Sequence, residues 1–198
     1  MNQLQWNAKL RLLWILVALS WVNLVAPVAA AEKSWRKDTR LLPSYCAYRA
    51  TVGKAGGTER YPLLKGIWVH IHHYCDGLYS MFQARTELDA RKKKDWLARA
   101  ARNFHYVSRY CTPAKCVIYP ELHTLWGWVL GEQGDMTAAV NHLEKAIRAK
   151  PDYARAYAEL AALYKKTGSL DQARQVLERG LRKNPDSRRL RRLLKSLE

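Results

Sequence analysis

The sequence predicts an all-α array of antiparallel helix pairs. Three observations carry that expectation. The C-terminal half repeats itself with a period of 34 residues. Apolar residues elsewhere recur at helical spacing. The chain then closes on a short leucine-striped segment.

The repeat emerges when Pro120–Tyr153 is laid over Ala154–Ser187 without a gap. Gly127 falls on Ala161, Leu130 on Tyr164, Gly134 on Gly168, Ala139 on Ala173, Leu143 on Leu177, Ala146 on Gly180 and Pro151 on Pro185. Each pair has a physical role. Gly127 and Ala161 are small where two helices cross closely. Gly134 and Gly168 end the first helix, where a left-handed residue costs little. Ala139 and Ala173 let the second helix approach the first. Pro151 and Pro185 stop the second helix. The strings GEQGDMTAAVNHLEKAIRAKPDY and YKKTGSLDQARQVLERGLRKNPDS resemble tetratricopeptide (TPR) repeats, a family of two-helix units stacked side by side. The sequence departs from the family at Trp126, where Leu is usual, at His123, where Trp is frequent, and at Gly180, where Ala is usual.

Two units alone leave apolar ends uncovered. Arg188–Glu198 carries Leu190, Leu193, Leu194 and Leu197 on one helical stripe, with Arg188, Arg189, Arg191, Arg192 and Lys195 left for water. This segment is expected to cap the array. At the other end, Trp68, Ile71, Cys75, Leu78 and Phe82 mark one amphipathic helix. Leu97, Ala100, Phe104, Val107 and Cys111 mark another, from Trp96 to Cys111, with Asp95 as its N-cap. Arg91-Lys92-Lys93-Lys94 reads as a basic connector, and the whole as a degenerate TPR-like pair out of phase with the 34-residue period.

Residues 31–66 are the least legible. Pro43 opens a short helix through Tyr48, and Gly53, Gly56 and Gly57 mark a flexible loop. LLPSYCAYRA followed by WVHIHHYCDGL resembles the lead-in of a class of exported proteobacterial TPR proteins. The expected boundaries are 1–30, 31–66, 67–119, 120–153, 154–187 and 188–198.

The first thirty residues read as an address. Lys9 and Arg11 precede the run Leu12–Ala26, apolar except for Ser20 and Asn23. Pro27 and Val28-Ala29-Ala30-Ala31 follow. A basic start, an apolar core and a small-residue exit make a secretory signal, with cleavage after Ala30 or Ala31. The alternative is an uncleaved anchor from Leu12 to Ala31. Both place the remainder outside the cytoplasm, in the periplasm or beyond.

Export bears on the cysteines. Cys46, Cys75, Cys111 and Cys116 are even in number, which in an oxidising compartment suggests disulfides. Of three connectivities, Cys46–Cys75 with Cys111–Cys116 is favoured. The formal charge of +17 falls to +15 without the first 31 residues, at 32 basic against 17 acidic side chains. Such a balance suits anionic lipid or an acidic glycan, with Arg91–Lys94 and the C-terminal arginines as candidate patches. Export argues against nucleic acid.

Catalytic signatures are absent. The chain has no Gly-rich phosphate loop, no Gly-x-Ser-x-Gly elbow and no Cys-x-x-Cys-His haem motif. No cofactor is implied. His70-Ile71-His72-His73-Tyr74-Cys75 is the one stretch with metal-ligand chemistry. On a helix His70 and His73 share a face, while Cys75 points nearly opposite. The pair supplies two ligands at most, and a structural or solvated role is the simpler reading.

The TPR resemblance implies a non-catalytic protein that holds a partner peptide on a concave face made by the first helix of each unit. By the family's spacing that face carries Glu121, Thr124, Trp128 and Gly131, then Arg155, Ala158, Ala162 and Lys165. Since Gly127 sits at the crossing, Trp126 is expected to turn to the core and Trp128 to the groove. The alternative places Trp128 in the core, packed on the preceding pair. Envelope assembly, secretion and polysaccharide export are settings the sequence does not choose between.

Overall fold

The structure, a computed structural model, describes residues 39–198. The signal reading at residues 1–30 lies outside them. Among the described residues all regular structure is helical. Nine α-helices follow one another: α1 Ser44–Val52, α2 Gly57–Arg60, α3 Ile71–Thr86, α4 Ala90–Ser108, α5 Tyr119–Gln133, α6 Met136–Ala149, α7 Ala154–Lys166, α8 Leu170–Lys183 and α9 Arg188–Lys195. Among these residues no helix is long and apolar enough to cross a membrane.

The 34-residue period is present in the structure. Helix α6 starts at Met136 and ends at Ala149, and α8 starts and ends 34 residues later. Gly134 (φ 88°) and Gly168 (φ 75°) are left-handed where α5 and α7 stop. Asp135 caps α6 by accepting from the Ala138 N–H, orienting the second helix as soon as the first ends. A Cβ on Gly127 would lie 2.7 Å from Leu143 and 3.0 Å from the Ala139 carbonyl, so the small residue is what allows α5 and α6 to touch. Gly180 is explained the same way. A Cβ there would meet Tyr157 and Leu190, both at 2.9 Å or less. The larger Tyr157 ring and the cap leucine fill the space that the family's alanine would take.

Leu190 of α9 is fully buried, while Leu193, Leu194 and Leu197 pack half-exposed on the same core. Ser187 caps this helix by accepting from the Leu190 N–H.

Helices α3 and α4 form a further antiparallel pair, on the N-terminal side of α5. Gly77 lies against Phe104 as Gly127 lies against Leu143. The two contacts span 27 positions (77 to 104) and 16 positions (127 to 143). Longer helices in the first pair put it out of phase. Three sequence expectations are corrected here. The second helix starts at Ala90 and not at Trp96, because Asp89 and not Asp95 is the cap, accepting from the Lys92 N–H at 2.8 Å. Arg91–Lys94 therefore form its first turn and are no connector: Lys and Arg are good helix formers, which outweighs their unfavourable place at a positive helix end. The helix also ends at Ser108, leaving Cys111 in the link to α5.

The N-terminal segment is more ordered than its glycines suggest. Helix α1 runs on to Val52, and Gly57 opens the single turn α2 against Trp68, where a Cβ would fall 1.6 Å from the indole. Trp68 itself lies in a short 3-10 turn before α3, stacked on Tyr61. The Cys46–Cys75 and Cys111–Cys116 disulfides are both present. The first ties α1 to α3, and the second closes the link between the first helix pair and the repeats.

Candidate functional site

The inner face of the array is built by α3, α5 and α7. Trp128 is half-buried on α5 and lines a hollow of about 130 Å³ with Gly131, Glu132, Glu159, Ala162 and Lys166. The Arg85 guanidinium, from α3, lies 4.4 Å from the centre of the Trp128 ring. That distance is within cation–π range. The indole is thus held by α3 on one side and open to the hollow on the other.

Carboxylates along this face are matched with cations from neighbouring helices. Glu121 meets Arg155 at 4.0 Å, Glu132 meets Lys166 at 3.0 Å and Lys93 at 3.1 Å, and Glu159 meets Arg189 at 3.1 Å. Burial pushes the Glu132 carboxyl up, but the hydrogen bonds from Lys166 and Lys93 outweigh it and hold it below the usual range. At Glu121 burial wins over the more distant Arg155, and the carboxyl is raised.

Residues 131–197 match the family model for the tetratricopeptide repeat. The match begins beyond the two departures at His123 and Trp126. A thermophilic TPR protein of Thermus thermophilus, known from a crystal structure, is similar in fold, with a TM-score of 0.53. It is 21% identical, over 96% of this chain and 97% of that one. No curated protein matches the sequence. Residues 131–197 thus carry tetratricopeptide repeats, and the described residues share the TPR-type fold.

On this TPR array the expected groove residues separate. Glu121, Trp128 and Arg155 stand on the inner face. Thr124 does not offer itself to a ligand: it is fully buried and its hydroxyl donates to the Pro120 carbonyl at 2.8 Å. Ala158 is also buried, and Gly131 forms part of the hollow. Lys165 reaches the Ser196 carbonyl at 3.4 Å, and the lysine beside Trp128 is Lys166. Arg85, Glu132, Glu159 and Lys166 were not anticipated. Glu132 was within reach, one helical turn beyond Trp128. Arg85 was not, because its helix is out of phase with the repeats.

The basic patches are smaller than their sequence suggests. Lys93 and Arg189 are engaged in the TPR groove through Glu132 and Glu159. Arg91, Lys92 and Lys94 are exposed on one helix, and Arg188, Arg191, Arg192 and Lys195 on another. His70 and His73 each turn to α4. His70 meets the Tyr106 hydroxyl at 3.2 Å and stacks on Tyr110, and His73 meets Asn103 Oδ1 at 2.9 Å. Among the described residues no three His, Cys, Asp or Glu side chains are grouped to hold a metal.

The departures in the first TPR unit form a second cluster. His123 and His142 approach Nδ1 to Nδ1 at 2.7 Å, and the Trp126 ring lies 3.9 Å from that of His142. Trp126 is half-buried and packs among these imidazoles, its Nε1 enclosed without an acceptor. Burial, reinforced by His142 and Lys145, pushes His123 down to about 3. Burial, with Lys145, pushes His142 down to about 4. Both rings are therefore neutral when folded and charged below the ordinary imidazole range when unfolded. Their stabilisation is complete above pH ~6.5 and is lost as the pH falls towards the folded-state values. We expect stability to drop by about 2 kcal/mol between pH 7 and pH 5, after allowance for partial exposure. Urea unfolding at the two pH values measures it. The His123→Leu/His142→Leu double variant should lose most of that difference, and an unchanged difference would refute the assignment.

Proposed function

We propose that this chain is an exported, non-catalytic scaffold that holds a partner peptide along the inner face of its TPR array, with Trp128 as the anchor. The observation that carries this reading is Trp128 itself. It is a half-buried indole, braced by Arg85 and left open beside Gly131 and Ala162. Large aromatics beside charged residues dominate binding energy at protein interfaces. The flanking ion pairs suit a peptide of mixed charge, whose own side chains can exchange with them. Two disulfides support an oxidising compartment, and the N-terminal signal pattern supports export.

The test uses peptides selected from a random display library on the full chain. Trp128→Ala should weaken their binding by about 2 kcal/mol, roughly thirtyfold, with little change in melting temperature. Gly131→Ala provides a second reading. Its Cβ would meet the tip of Leu163 at 2.8 Å and the Ala139 methyl at an ordinary 3.8 Å, so a small shift of the Leu163 side chain accommodates it while the hollow shrinks. A loss of ~3–5 kcal/mol of stability in Trp128→Ala, with peptide binding intact in the folded fraction, would make Trp128 a core residue and defeat the proposal.

A further inference from the structure

The inner face holds a second recess, which shares no lining residue with the Trp128 hollow. Helices α3 and α5 give it an apolar floor with Leu78, Phe82 and Leu125. Residues 40–43, the stretch ahead of α1, supply a further wall. The recess measures about 290 Å³, more than twice the 130 Å³ of the Trp128 hollow. An apolar cavity of about 150 Å³ already accepts a benzene ring. The recess therefore has room for a large side chain such as Leu, Met or Phe, and the Trp128 hollow suits a small one.

The wall is fixed without closing the site. The Cys46–Cys75 bridge ties α1 to α3 and so holds the stretch before α1 against the floor. Leu42 is buried there, while Leu41 is 70% exposed at the rim. Leu41 thus extends the apolar lining outwards, where a bound side chain would cover it.

The other end of the recess is polar. Glu121 and Arg155 stand 4.0 Å apart, looser than the other ion pairs on this face. The Tyr74 hydroxyl, fully buried near Glu121, completes no well-formed hydrogen bond. A loose pair of this kind can bracket a peptide group, the carboxylate accepting its N–H and the guanidinium donating to its carbonyl. Two guanidiniums, Arg40 and Arg155, line the recess against one carboxylate. An acidic group brought to the rim therefore meets net positive charge.

Glu121 and Trp128 lie seven residues apart on α5, about 10 Å along the helix. An extended chain covers that distance in about three residues. We propose that this recess is a second anchoring subsite of the groove. It takes a large apolar side chain of the partner, next to an acidic residue and about three positions from the residue held at Trp128. The subsite rests on the peptide-groove reading of the inner face.

Peptides selected from a random display library on the full chain test it. Their sequences should share a Leu, Met or Phe beside an Asp or Glu. In one labelled peptide, replacing the large residue by Ala should weaken binding about tenfold or more. Replacing the acid by its amide should weaken it about threefold. Leu41→Asp changes an exposed position, so the helical circular dichroism should be unchanged while binding of the same peptide falls about tenfold. Arg155→Gln should erase the difference between acid and amide. Equal binding by the parent and Leu41→Asp overturns the proposal, and so do selected sequences without a shared apolar–acidic pair. Trp128→Ala separates the two readings. If it leaves affinity unchanged while Leu41→Asp weakens it, the recess stands and the Trp128 anchor falls. The reverse pattern keeps Trp128 and removes the recess.

Discussion

Leu190→Asp is expected to destabilise the protein by about 4 kcal/mol, the upper range for a single substitution, because it puts an unpaired carboxylate into a dry site. Leu190 is fully buried and packs on the gap left by Gly180. The Ser187 cap fixes the helix that carries it, so the side chain cannot swing out without undocking α9. Leu193→Asp and Leu194→Asp give the contrast. Both residues are half-exposed at the core edge, and a carboxylate there keeps part of its hydration, so about 1–2 kcal/mol is expected. The sequence alone assigns the four leucines one stripe and no ranking. Urea unfolding of the three variants checks the order. Equal, small losses would mean that α9 is a loosely attached basic tail.

Removing the Cys46–Cys75 bridge is the second large effect. The two residues are 29 positions apart, and both are fully buried. Cross-linking a loop of that length restricts the unfolded chain by about 3.5 kcal/mol on the chain-entropy account. The five-residue span of Cys111–Cys116 restricts it by about 2 kcal/mol. Cys46→Ser/Cys75→Ser should therefore lower stability more than Cys111→Ser/Cys116→Ser, in urea titrations under non-reducing conditions. Addition of a reductant should bring the parent down towards the doubly substituted forms. The first bridge also holds α1 on α3, beside the Tyr48, Tyr61 and Trp68 rings. Fluorescence of that aromatic group should change at lower urea than the helical signal once the bridge is gone. Equal effects of the two removals would show that loop length is not the governing quantity.

The periodic part of the molecule was legible because a repeat writes each contact twice. Gly127 on Ala161, Gly134 on Gly168 and Pro151 on Pro185 each report a crossing, a helix end or a stop, and each is local in origin. The disulfide partners were legible too, since one cysteine pair is close in sequence and Cys75 sits on an apolar helix face. Tertiary structure decided the rest. The start of α4 went to Asp89 because a cap is chosen by backbone geometry, and both Asp89 and Asp95 have the right side chain. Lys93 left the basic patch because Glu132, on another helix, lay within 3.1 Å. Thr124 left the groove by bonding to its own helix. Arg85 reached Trp128, and His123 reached His142, across helix contacts that no spacing in the chain encodes. The repeat helices and their crossings were legible because they depend on neighbours within a few turns. Which side chains share a charge, a proton or an open face depends on distances between helices, and packing sets those distances.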